Sequence, residues 1–264
     1  MLVAILLTVL AGSATAIGGL IGVWGPHTSN RLLSAGVSLS AGVMIYISFV
    51  ELLPGAFEHA SSVGAATLGF FAGAVFVLVI EYFAGKWSPA DRNRQVTSVE
   101  QHASHAPKPQ VRDTAQLTRT ALVMAVVLAA HNAPEGFVTL VSALQDPVLA
   151  LPIVFAIAIH NIPEGIAVAV PMYHATGNRL KSWAISAASG MAEPIGALIL
   201  YAILGPFLNL GVVGLVNAVI AGIMVFISLH ELLPLALAAG RKTTVTLWLL
   251  VGMGVMAVSL LILG

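Results

Sequence analysis

The feature that most restricts how this chain can fold is a succession of long apolar stretches. They run at about 2–24, 32–53, 63–83, 117–141, 149–172, 181–204, 209–235 and 244–263. Each is long enough to cross a hydrocarbon layer about 30 Å thick. Inside lipid an unpaired backbone amide has no water to bond to, so each stretch is expected to be a helix. Of the 264 residues 58% are hydrophobic and 8% charged, where a soluble domain carries about 25% charged residues. A chain of this kind cannot cover a water-facing surface. That excludes a soluble enzyme, a nucleic-acid binder and a disordered protein, and leaves the lipid bilayer as its surroundings. The chain has no cysteine, hence neither a disulfide nor a thiolate ligand. The expectation is an all-α integral membrane protein with eight transmembrane helices, forming a single transmembrane domain over residues 1–264.

The basic residues orient it. Arg31 follows the first span, Lys86 to Arg119 lie between or flank the third and fourth, Arg179 and Lys181 follow the fifth, and Arg241 and Lys242 follow the seventh. All eleven therefore fall on one side of an eight-span arrangement. The positive-inside rule makes that side the cytoplasm and puts both termini outside. No Lys or Arg precedes the first apolar stretch, so it reads as a retained helix rather than a cleaved signal peptide. Residues 85–116 are polar and rich in Ser, Gln, Arg and Pro, and read as a flexible cytoplasmic loop. His102 and His105 within it are either solvated or weak captors of a passing metal ion.

Two internal repeats stand out. Ala41 to Pro54 and Ala221 to Pro234 share nine of fourteen residues, on spans two and seven. His131-Asn-Ala-Pro-Glu-Gly136 is matched by His160-Asn-Ile-Pro-Glu-Gly165 on spans four and five. Both pairs of spans run antiparallel, so the repeats are of inverted topology, as in secondary transporters that hold their substrate near the midplane. General apolarity explains shared Leu and Ala. It does not explain shared His, Asn, Glu and Pro.

A charge at the bilayer centre costs at least about 2.5–3.5 kcal/mol. Glu135, Glu164 and Glu193 lie well inside spans whose interiors offer no Lys or Arg. A bound cation or proton is the remaining partner. In His131-x-x-x-Glu135 the two side chains share a helix face, and His160 with Glu164 repeats the arrangement. Two such helices face to face assemble two imidazoles and two carboxylates, a donor set suited to zinc and to other divalent transition metals. Asn132 and Asn161 are rotated about 100° away. Either they form interhelical hydrogen bonds, or with Glu193 they serve a second metal position bridged by Glu135 and Glu164. Pro134 and Pro163 each free a carbonyl, of Ala130 and Ile159, beside the histidines. Met44 and its repeat partner Met224 are soft thioether donors or core filler, with Met44 the stronger ligand candidate. Glu51 near one mouth, and His230 with Glu231 near the other, read as pathway relays, with Glu58 and His59 collecting ions outside. Glu81 reads as interfacial.

Two His-Asn-x-Pro-Glu-Gly motifs on consecutive spans, Ala192-Glu-Pro194 on the next and His230-Glu-Leu-Leu-Pro234 after it resemble the ZIP transporters of divalent metals, in particular their bacterial zinc-uptake branch. The resemblance covers the whole chain. It implies a 3+2+3 inverted-repeat fold and a binuclear intramembrane centre, with ligand roles for His131, Asn132, Glu135, His160, Asn161, Glu164 and Glu193. It further implies Zn2+, or another divalent metal such as Fe2+, Mn2+, Co2+ or Cd2+, as a cargo moved into the cytoplasm across the inner membrane. No organic cofactor is implied. A homodimer and an elevator-like movement of the metal-bearing helices follow from the resemblance as well. The competing readings are a metal exporter, a passive channel and a membrane-embedded metallohydrolase; the last lacks a His-Glu-x-x-His motif and an evident general base.

Overall fold

The computed structural model describes residues 1–25, 30–86, 114–148 and 150–263. Among them every regular element is helical: α1 (Leu2–Trp24), α2 (Asn30–Ile47), α3 (Leu53–His59), α4 (Val63–Lys86), α5 (Thr114–Gln145), α6 (Leu151–Thr176), α7 (Arg179–Leu204), α8 (Leu210–Ile227), α9 (Leu233–Ala239) and α10 (Lys242–Leu263). Counting α2–α3 and α8–α9 as one span each, seven are long and apolar enough to cross a membrane. The 32-residue α5 is the eighth long helix. His102, His105 and most of the expected 85–116 loop lie outside the described residues; helix reaches Lys86 on one side and resumes at Thr114 on the other.

The chain breaks where local chemistry favours a break. Gly177 ends α6 with φ 65°, a left-handed conformation that costs glycine little. Asn178 then caps α7, its side-chain oxygen accepting from Lys181 N at 2.9 Å. Asn209 caps α8 in the same way through Val212 N at 3.0 Å.

The second and seventh spans run further than expected, to His59 and Ala239 rather than 53 and 235. Each passes its proline through one wide π turn, Ser48–Leu52 and Ser228–Leu232. The Leu53 and Leu233 amides donate to Ser48 O and Ser228 O, five residues back. In a regular α-helix the rings of Pro54 and Pro234 would collide with the carbonyls of Val50 and His230. The wider turn moves those carbonyls aside, and the helix continues.

The inverted symmetry extends well beyond the motifs. A Cβ on Gly42 would lie 2.1 Å from Leu249 O, and one on its counterpart Gly222 would lie 1.8 Å from Phe70 O. Gly252 meets Leu39 O, and Gly73 meets Val219 O, in the same matched fashion. Spans two and seven are thus seated on eight and three (α10 and α4) by equivalent glycine-to-backbone contacts. The same holds around the motifs, where a Cβ on Gly136 would collide with Glu193 O and one on Gly165 with Thr15 O. Spans one to three therefore repeat as six to eight, with four and five related to each other between them. Helices α1, α5, α6 and α7 pack into one group; α2–α3, α4, α8–α9 and α10 form the other, with α2 bridging to α6. The two groups break the symmetry at one place, because α2 lies broadly on α6 while its counterpart α8 barely touches α5.

Candidate metal centre

Helices α5 and α6 cross so that each histidine faces the other helix's carboxylate. His131 Nε2 lies 3.1 Å from Glu164 Oε1, and His160 Nε2 lies 3.2 Å from Glu135 Oε2. All four side chains are buried, at 2% exposure or less. Asn132 Nδ2 donates to Ser189 O at 3.2 Å, and Asn161 Nδ2 to Ala11 O at 3.0 Å. Asn161 also donates to Glu193 Oε2 at 2.7 Å. Seven sequence candidates, His131, Asn132, Glu135, His160, Asn161, Glu164 and Glu193, are thus gathered at the junction of α5, α6 and α7. Glycines make the approach possible: a Cβ on Gly136 would lie 2.9 Å from Glu193 Cγ as well as against its carbonyl.

The cluster is rich in uncompensated acceptors. Asn132 Oδ1, Glu135 Oε1, Asn161 Oδ1, Glu164 Oε2 and Glu193 Oε1 are buried without a hydrogen-bond partner, as is His131 Nδ1. Each such atom costs about 1–3 kcal/mol, more when charged. The geometry also suits a cation. Two ligand atoms of a tetrahedral zinc ion, each about 2.0–2.1 Å from the metal, stand about 3.3 Å apart. That is close to the His–Glu separations here, so an ion could be held by these pairs with little rearrangement.

A family model described as the ZIP zinc transporter matches residues 83–260. The chain belongs to the ZIP family. It is 44% identical to the zinc transporter ZupT of Corynebacterium glutamicum, over 99% of both chains. It is 42% identical to ZupT of Streptococcus mutans, covering 98% of this chain and 97% of that one. It is 41% identical to ZupT of Nitratidesulfovibrio vulgaris, covering 97% and 95%. The eight-helix fold expected from the sequence is the fold of a ZIP protein.

Two mouths flank the centre. At one, Glu51, His59, Ser142, Gln145 and Asn217 line a vestibule of about 200 Å³. His59 Nδ1 lies 2.8 Å from Gly55 O, to which it can donate; the ring's Nε2 then remains an acceptor. Below the vestibule a smaller cavity of about 20 Å³ separates Glu51 from Glu135, lined otherwise by aliphatic side chains and Met224. At the other mouth His230 Nε2 lies 3.3 Å from Glu81 Oε2. Glu81, His230 and Glu231 bring ligand atoms within 4.8 Å of one another. Phe226 stacks on the His230 ring with centroids 4.9 Å apart.

Sequence reasoning left Glu81 out of the path, because an acidic residue closing a span near the interface has an ordinary explanation in solvation. The signal was its depth, which it shares with His230 and Glu231 on the seventh span, which runs parallel to the third. Asn217 was also missed; it stands where the repeat has Val37. The two methionines differ in setting. Both are buried in the apolar core, but only Met44 has Ser40 Oγ beside it, 3.9 Å from its sulfur. Met224 lines the cavity that Glu135 also lines.

Proposed function

We propose that this protein carries Zn2+, and with lower selectivity other divalent transition metals, across the cytoplasmic membrane into the cytoplasm. One observation supports this above the rest. Two His–Glu pairs, crossed between α5 and α6 and fully buried, present unpartnered oxygens where no Lys or Arg forms an ion pair with them among the described residues. Deprotonated carboxylates and neutral imidazoles are what a divalent cation requires. The relatives named above are zinc transporters, and the inverted repeat suits a site reached from alternate sides. His131, Glu135, His160 and Glu164 hold one ion. Asn132, Asn161 and Glu193 complete a second position through the spare oxygens of Glu135 and Glu164.

The cation reaches the centre from the mouth at Glu51 and leaves past Glu81, His230 and Glu231. The eleven basic residues on one side support a cytoplasmic position for the second mouth, and outward termini. The group α1, α5, α6 and α7 carries the metal and shifts against the other group as a body. The homodimer implied by the family resemblance is the working assembly.

Metal uptake into proteoliposomes tests the reading. Wild-type protein takes up zinc saturably, while His131→Ala and Glu164→Ala insert normally but carry none. Saturable uptake by both variants, or no metal flux by the wild type, defeats it.

A further inference from the structure

We infer that Met224 is a specificity-determining ligand: its thioether takes hold of the partly dehydrated cation between Glu51 and Glu135 and favours soft ions over hard ones. This rests on the transport reading above and adds to it the discrimination among metals.

The cavity that Glu51 and Glu135 both line has a volume of about 20 Å³. One water needs about 10–15 Å³ on the same measure. A cation with a full hydration shell does not fit, so it sheds most of its water on the way from Glu51 to Glu135. The lining between those carboxylates is Ile47, Leu52, Val138, Ile153, Ile157 and Ile220, all aliphatic, together with Met224. Met224 is therefore the sole lining residue besides the two glutamates whose side chain carries a donor atom. Thioethers suit soft metals, whereas carboxylate and water suit hard ones such as Mn2+ and Mg2+.

The inverted repeat shows why Met224, and not Met44, has this role. Ser40 stands one turn from Met44, its hydroxyl 3.9 Å from the sulfur. At the position equivalent to Ser40, the Met224 half has Ile220, which brings no donor and itself lines the cavity. Met44 is absent from that lining. The cavity lies where α8 packs only slightly against α5.

The test is competitive uptake into proteoliposomes at limiting metal, with Cd2+, Zn2+ and Mn2+ as probes. Met224→Leu keeps the apolar volume without the strong dipole of a donor, and Met224→Gln replaces sulfur with a hard oxygen of similar reach. In Met224→Leu, cadmium and zinc uptake relative to manganese should fall about tenfold, the scale on which supporting groups tune metal affinity. Met224→Gln should shift preference further toward manganese. Met256→Leu, a buried methionine away from the path, should keep the wild-type ratio. Because the chain has no cysteine, a cadmium–sulfur signal in X-ray absorption comes from methionine alone; it should be present in wild type and absent from Met224→Leu. An unchanged metal ratio in both Met224 variants with flux intact overturns the inference and leaves the transport reading standing. So does a loss of discrimination in Met44→Leu equal to that in Met224→Leu. Absence of metal flux in the wild type removes both.

Discussion

Thr15 and Glu193 occupy equivalent places in the two halves of the molecule. Each backbone carbonyl receives the motif glycine of a neighbouring helix, Gly165 at Thr15 O and Gly136 at Glu193 O. The surrounding bonds are equivalent too, with Asn161 donating to Ala11 O and Asn132 to Ser189 O. Glu193 receives a further bond from Asn161, whereas the buried Thr15 hydroxyl has no hydrogen-bond partner. The cluster is symmetric in its two His–Glu pairs and asymmetric in its third carboxylate, Glu193.

That asymmetry separates the two proposed metal positions. Glu193→Gln should lower zinc stoichiometry from two ions to one in isothermal titration while the His–Glu site still binds. Thr15→Val removes a buried hydroxyl that has no partner, so zinc stoichiometry should stay the same. Stability should hold or rise by up to about 1 kcal/mol, since an unsatisfied buried donor is itself a cost. Two ions bound by Glu193→Gln would contradict the assignment.

The glycine contacts make a second prediction. In Gly136→Ala the new Cβ would meet the Glu193 carbonyl at 2.1 Å, and backbone cannot yield as a side-chain end does. Overpacking should cost about 1–3 kcal/mol and weaken zinc binding by parting α5 from α7. Gly254→Ala on α10, with nothing within 4 Å of the new atom, should be neutral or stabilising by up to about 1 kcal/mol. Thermal melting in detergent, with and without zinc, distinguishes these outcomes; equal melting of the two variants would show that the contact is not tight.

The residues at the Glu81 mouth should affect release rather than capture. His230→Ala and Glu81→Gln should lower the maximal uptake rate without abolishing it and leave zinc affinity at the centre unchanged. A loss of central zinc binding in either variant would place them within the main site.

Ser48 and Ser228 report on alternating access. Both are fully buried, and their hydroxyls donate to Met44 O and Met224 O at 2.7 Å. Single cysteines there, in a chain that otherwise has none, should react only when the mouth beside each opens. Zinc should move the two labelling rates in opposite directions, since a ligand shifts an equilibrium by its differential affinity for the two states. Joint labelling under every condition would mean a continuous pore.

Much of this was legible in the amino-acid order. Uninterrupted apolar stretches require helices in lipid. His131 with Glu135 and His160 with Glu164 were visible because i, i+4 spacing fixes a shared face on any helix, and because charge in hydrocarbon demands a partner. What the tertiary structure decided depends on how helices approach one another, which local spacing does not encode. The crossing of α5 and α6 makes His131 answer to Glu164 rather than to Glu135 on its own helix. Glu81 joins His230 because spans three and seven run parallel and reach one depth together. The passage of helix beyond Pro54 and Pro234 needs a wide turn that proline in a sequence does not announce. Met44 and Met224 are alike in the repeat and both lie in the core, and only the tertiary packing, unequal between α2 on α6 and α8 on α5, makes Met224 a cavity-lining residue as well.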